Sequence, residues 1–153
     1  MTFDELMGDM GKTLNIELTT HDGATQLEID GMTVSILEMP ALDSVVLNGI
    51  IGDPPPEGLA PLHKAMLEAN YNFAGTAGAT LAANPENGEL TLTRLVPAVQ
   101  LDANSLLTAL EGFVNVLETW RKIVADYRPN VAEAAPEAAM ENAPKNGDWM
   151  MQV

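Results

Sequence analysis

The chain has 153 residues, no cysteine, a formal charge of −15 and an apolar fraction of 46%. That is enough for one domain with a real core, while the missing thiols exclude disulfides, thiol chemistry and thiolate metal ligands. The negative charge argues against a nucleic-acid partner. No apolar run approaches the roughly 20 residues of a membrane span, and residues 1–5 are acidic rather than leader-like, so a soluble cytoplasmic protein without membrane insertion is expected.

Residues 2–14 predict a helix. Thr2 stands as N-cap with Glu5 in the capping-box position, and Asp4 and Glu5 sit where the helix dipole favours anions. Phe3, Leu6, Met7, Met10 and Leu14 make one stripe. Two uses of that stripe are open. It covers a sheet, or part of it stays open as a groove in which adaptable methionines meet a partner. Gly8 and Gly11 weaken the helix toward its end.

His21-Asp22-Gly23 predicts a turn. Residues 25–30 then alternate, with Leu27 and Ile29 on one face and Gln26, Glu28 and Asp30 on the other. Asp30-Gly31 suits a tight hairpin into a strand over 32–39. In that strand Met32, Val34 and Ile36 oppose Thr33, Ser35, Leu37 and Met39. Residues 44–51 are a nearly unbroken apolar run, the pattern of a central strand. The prolines of 52–58 make a stiff connector.

A helix starting near Pro61 carries two stripes. Leu62, Met66, Ala69 and Phe73 form one; Leu67 and Tyr71 form the other. One packing contact needs one stripe, so the second predicts a contact with another subunit. A two-fold homodimer is expected, with Leu62, Met66, Leu67 and Tyr71 in its interface. Gly75 and Gly78 end the helix and lead into a strand over 79–83. The Pro85-Glu86-Asn87-Gly88 turn returns the chain as a strand over 89–96, stopped by Pro97.

The last helix has Asp102 as N-cap and apolar residues Leu106, Leu110, Phe113, Val114, Leu117 and Val124 at helical spacing. Arg121, Lys122 and Arg128 complement its negative end, and Pro129 stops it. Residues 1–128 thus make the domain. The Ala-, Pro- and Glu-rich stretch 129–153 predicts a flexible tail, apart from the apolar cluster Trp149-Met150-Met151 near its end.

Sequence motifs for catalysis are missing: no G-x-x-x-x-G-K, H-E-x-x-H, G-x-S-x-G or calcium loop occurs. His21 and His63, the only imidazoles, stand forty-two residues apart, whereas metal ligands cluster more tightly. Gly75-Thr76-Ala77-Gly78 lacks the lysine and the preceding strand of a phosphate loop. Asp4, Glu5 and Asp9 are solvated helix charge rather than paired catalytic carboxylates. The expectation is an α+β domain with no catalytic residue, no metal site and no cofactor.

Several motifs together resemble the C-terminal half of class I type III secretion chaperones, the Tir-chaperone family. They are Leu67-Glu68-Ala69-Asn70, Gly75-Thr76-Ala77-Gly78-Ala79-Thr80-Leu81, the Pro-x-x-Gly turn at 85–88, Leu101-Asp102, and Glu118-x-Trp120-Arg121. The resemblance spans about residues 2–128 and is strongest from 62 onward. It implies an α-βββ-α-ββ-α fold with helices packed on a twisted antiparallel sheet. It also implies a homodimer that holds an extended segment of a secreted effector in an export-competent state, without nucleotide hydrolysis. Such a segment would add to a sheet edge, with side-chain pockets supplying selectivity. On this reading Phe3, Leu6, Met7 and Met10, with Val34 and Ile36 nearby, form the partner-binding groove. The other reading is an acidic small-ligand or regulatory domain of the same fold, with the Gly75–Gly78 loop beside the ligand.

Overall fold

The computed structural model describes residues 1–128. The expectations for 129–153, namely the stop at Pro129, the flexible tail and the apolar cluster, lie outside the described residues. Three helices and five strands follow the expected order: α1 (Phe3–Leu14), β1 (Ala24–Ile29), β2 (Met32–Met39), β3 (Ser44–Gly52), α2 (Leu59–Asn70), β4 (Thr80–Ala83), β5 (Leu90–Pro97) and α3 (Ala103–Ala125). The strands form one antiparallel sheet in the order β1-β2-β3-β5-β4. The apolar run at 44–51 is therefore its centre, and β1 and β4 are its edge strands.

Local chemistry sets the register. Asp30 and Gly31 both adopt positive φ, at 50° and 78°, the geometry whose twist matches two paired strands. That turn pairs Leu27 with Val34, and Val34 with Gly49 on β3. Gly49 in turn faces Leu92, and Leu92 faces Leu81. One row thus crosses the whole sheet on its core face, and it dips at the middle where Gly49 has no side chain. α3 uses that dip. A Cβ built on Gly49 would stand 2.6 Å from Leu117 Cδ2, so Leu117 is seated against bare backbone. Leu106, Leu110, Phe113, Leu117 and Trp120 complete the inner face of α3.

Helix α1 packs alongside α3 and closes the same core with Phe3, Leu6, Met7 and Met10. Each such side chain contributes about 1.5–3 kcal/mol by leaving water. Gly11, expected only to weaken the helix, has a packing reason. Its Cβ would lie 2.7 Å from the Ile16 carbonyl oxygen, because the chain turns back at Asn15 (φ 56°) and Ile16 N–H donates to Gly11 O at 2.9 Å.

Helix α2 ends earlier than its pattern predicted. Past Asn70 there is a short 3₁₀ turn over Tyr71–Phe73, in which Asn72 and Phe73 take positive φ. Phe73 therefore leaves the Leu62–Met66–Ala69 stripe and is exposed. The break has a cause. Asn70 donates from Nδ2 to Leu81 O at 2.9 Å and accepts from Leu81 N–H at 2.8 Å, imitating a neighbouring strand and tying the helix end to β4. α3 runs to Ala125, with Asp126 as C-cap.

Both predicted N-caps form capping boxes. Thr2 N–H donates to Glu5 Oε2 at 2.7 Å and Glu5 N–H to Thr2 Oγ1 at 3.1 Å. Ser105 N–H donates to Asp102 Oδ1 at 2.8 Å, and Asp102 N–H to Ser105 Oγ at 3.0 Å. The backbone donor of Thr2 holds the Glu5 carboxyl below its ordinary 4.5, and that of Ser105 holds Asp102 below 3.8. Folded values lower than unfolded ones mean that this stabilisation is complete above the unfolded values and is lost as pH falls through the folded ones. Urea midpoints are expected to drop as pH falls below about 4.5. In a Glu5→Gln, Asp102→Asn double variant that drop should be shallower.

Candidate partner-binding surfaces

The sequence singled out ten residues for contacts, and their placement divides them. Met7, Met10, Val34 and Ile36 are wholly buried, at 0% exposure, and Phe3 and Leu6 nearly so. The opening expected along α1 is not present in the single chain. Because α1 lies beside α3, its stripe is spent on the core between the helices and the sheet. Phe3 and Leu6 alone among the six reach a surface feature, a shallow groove of about 240 Å³ that they line with Met1, Pro40, Val45 and Leu101.

The larger groove, of about 740 Å³, lies at the other end of α1, within the size range of ligand pockets. Leu14, Ile16 and Leu18 from the end of α1 and the following segment, with Leu27 and Ile29 of β1, make one wall. Leu107, Leu110 and Val114 of α3 make the other. The groove runs beside β1, which is paired only with β2, so its outer backbone groups offer a template for another strand. Ile16 is half exposed, at 49%. Glu17, Asp30 and Glu111 stand at the lip; Glu28 also lines it, but its carboxylate accepts from Thr33 Oγ1 at 2.7 Å. Such a surface can take apolar side chains of an extended segment and bond its backbone.

Of these wall residues only Leu14, Leu27, Ile29, Leu110 and Val114 carried a periodic signal. Ile16, Leu18 and Leu107 were missed. The alternation Ile16-Glu17-Leu18 was the available clue, falling between two elements where no strand forms. Leu107 with Val114, seven residues apart, makes a further stripe beside the core stripe of α3.

On α2 both stripes are real but differ in use. Leu62 and Met66, expected at an interface, are buried in their own core; Leu67 and Tyr71 are exposed, at 69% and 47%, as is Phe73. The helix is thus sided, and the four expected interface residues belong to opposite sides. The glycine-rich loop after α2 is packed. A Cβ on Gly75 would stand 2.7 Å from Ala69 Cβ, the Trp120 indole N–H donates to Gly75 O at 3.0 Å, and Thr76 is buried. The motifs Leu67–Asn70, Gly75–Leu81 and Trp120 thereby lock one corner, where α2, β4 and α3 meet. Among the described residues, no His, Asp or Glu cluster is arranged to hold a metal ion, and no helix is long and apolar enough to cross a membrane.

Three helices on one five-stranded antiparallel sheet, with an apolar groove at its first edge, define the class to which the chain is matched. The model of the Tir chaperone protein (CesT) family matches residues 5–121, and the chain belongs to that family. Solved structures share the fold. The HopA1–SchA chaperone–effector complex matches at 19% identity and a TM-score of 0.68, over 78% of this chain and 93% of that one. The ExsC–ExsE complex matches at 14% and 0.69, over 79% and 92%. The heterodimeric ExoU–SpcU complex of the type III secretion system of Pseudomonas aeruginosa matches at 19% and 0.60, over 81% and 98%. No curated protein matches the chain by sequence.

Proposed function

We propose that this protein is a cytoplasmic type III secretion chaperone that binds a non-globular segment of a secreted effector and keeps it fit for export. The observation that carries the reading is the groove beside the open edge of β1, in a chain of the Tir chaperone family. A segment laid along that edge pairs its backbone with β1 and sinks alternate side chains between Ile16 and Val114. Held in that way it cannot collapse on itself. Phe3 and Leu6, in the second groove, are proposed to take a further part of the same segment. Met7, Met10, Val34 and Ile36 belong to the core and have no direct part in the binding. The reading assigns no catalytic role, and release is by the pull of the export apparatus rather than by nucleotide hydrolysis. The Gly75–Gly78 loop, beside which the alternative reading sets a small ligand, is packed against Ala69 and Trp120.

Ile16→Asp is the direct test. Ile16 is half exposed, so the variant should keep its melting temperature within a few degrees while losing co-purification with the N-terminal part of a secreted effector expressed beside it. Full retention of the effector by a folded Ile16→Asp chain would refute the assignment of the groove.

The proposed assembly is a homodimer across the outward side of α2, with Leu67 and Tyr71 at its centre. Exposed apolar residues on one helix side favour burial against a second copy. Sedimentation at micromolar concentration should show a dimer for the unmodified chain and a monomer for Leu67→Asp, with the secondary structure of both unchanged. A monomeric unmodified chain would sink the proposal.

A further inference from the structure

The groove beside β1 has apolar walls and an acidic lip. Glu17 follows α1, Asp30 sits in the β1–β2 turn and Glu111 lies on α3, so three separate elements bring carboxylates to one opening. All three are exposed, and none belongs to an ion pair among the described residues. Two cations stand nearby: Arg121 donates to Gly31 O at 3.1 Å, beside Asp30 in the turn, and Arg94 Nη1 would lie 3.8 Å from a Cβ on Gly112, next to Glu111. Glu28, which also lines the groove, accepts from Thr33 Oγ1 at 2.7 Å.

Resting on the reading of this groove as the segment site, we propose that it selects segments whose aliphatic anchors are flanked by lysine or arginine. The apolar side chains of the lining are leucine, isoleucine and valine, with Gln26 and Asn115 beside them, and they favour branched aliphatic anchors. A cationic flank reaching the lip meets unpaired carboxylates at short range, where attraction survives physiological salt better than long-range steering does. An acidic flank meets the same groups as repulsion, and discrimination against it needs no further contact. Complementary charge of this kind raises association rate and selectivity more than it raises bulk affinity. It also gives local meaning to part of a surface charge that otherwise reads as mere solubility.

The net charge of −15 attracts any cation, so the test must separate lip from bulk. Three fluorescein-labelled peptides share a Leu-Ile-Leu core and carry lysine, serine or glutamate flanks. Their binding is followed by anisotropy against the full-length chain. A first variant neutralises the lip, Glu17→Gln, Asp30→Asn and Glu111→Gln; asparagine tolerates the positive φ of position 30. A second removes equal charge on the β4 side of the sheet, Glu68→Gln, Glu86→Gln and Glu89→Gln. The lysine peptide should bind the unmodified chain about tenfold tighter than the serine peptide, the equivalent of about 1.4 kcal/mol, and the glutamate peptide weakest. Neutralising the lip should erase that preference, while the distal variant keeps it.

Equal binding of the lysine and serine peptides overturns the inference and leaves the groove standing as a segment site. So does an equal loss of preference in both variants, which would trace it to bulk charge. Ile16→Asp should abolish binding of the lysine and serine peptides alike. If none of the three peptides binds the unmodified chain, or Ile16→Asp binds them as well as it does, the groove itself falls and the inference with it.

Discussion

Met10→Asp is expected to abolish cooperative folding. Met10 has no exposed surface and lies in the core shared by α1, α3 and the sheet. An aspartate there either stays charged without a partner or takes up a proton to remain neutral. Both cost several kcal/mol, on top of the lost packing of the methionine. Domains of this size have only about 5–15 kcal/mol to lose. Met7→Asp should behave alike, since Met7 is equally enclosed. Near-ultraviolet circular dichroism and a thermal melt are the measurements. They should show no fixed tertiary signal and no sharp transition, against a nearly unchanged melt for Ile16→Asp. A Met10→Asp chain that melts normally yet loses its effector would return the binding groove to α1, as the sequence pattern allowed.

Gly49→Val should cost about 3 kcal/mol, or roughly 10 °C in melting temperature for a domain of this size. The new Cβ would meet Leu117 Cδ2 at 2.6 Å and Cδ1 at 2.9 Å, and Leu117 is fully enclosed, with no open side to move to. The clash lifts α3 from the middle of the sheet. Because Leu107, Leu110 and Val114 of α3 are one wall of the groove, binding should weaken along with stability. Leu117→Ala by itself is destabilising, at about 2–5 kcal/mol. Added to Gly49→Val it should be far less so, and the double-mutant cycle measures that coupling. Strict additivity of the two losses would mean that the Gly49–Leu117 contact does not govern how α3 sits.

The capping box at Thr2, the N-cap at Asp102, the Asp30-Gly31 hairpin and the central apolar strand were all legible, because each depends on residues within a few positions of one another. The motifs at 67–70 and 75–81 were legible too, as marks of a family. Their physical work was not, since Asn70 meets Leu81 and Gly75 meets Trp120 only after α2, β4 and α3 have come together. The same holds for the groove. Ile16 and Leu107 belong to no shared pattern and become neighbours through the fold alone.

The order and kind of the elements, the α+β class and the two-sided character of α2 follow from periodicity, caps and turns, which are local. Which apolar stripe is spent inside depends on long-range packing. Met7 and Met10 read on a helical wheel as either core or groove, and packing against α3, about a hundred residues away in the chain, made them core. Leu62 and Leu67 read as one interface, and the position of α2 over β4 put the first inside and left the second in water. Burial is a property of what an element meets, and an amphipathic pattern records that a face exists without recording what will cover it.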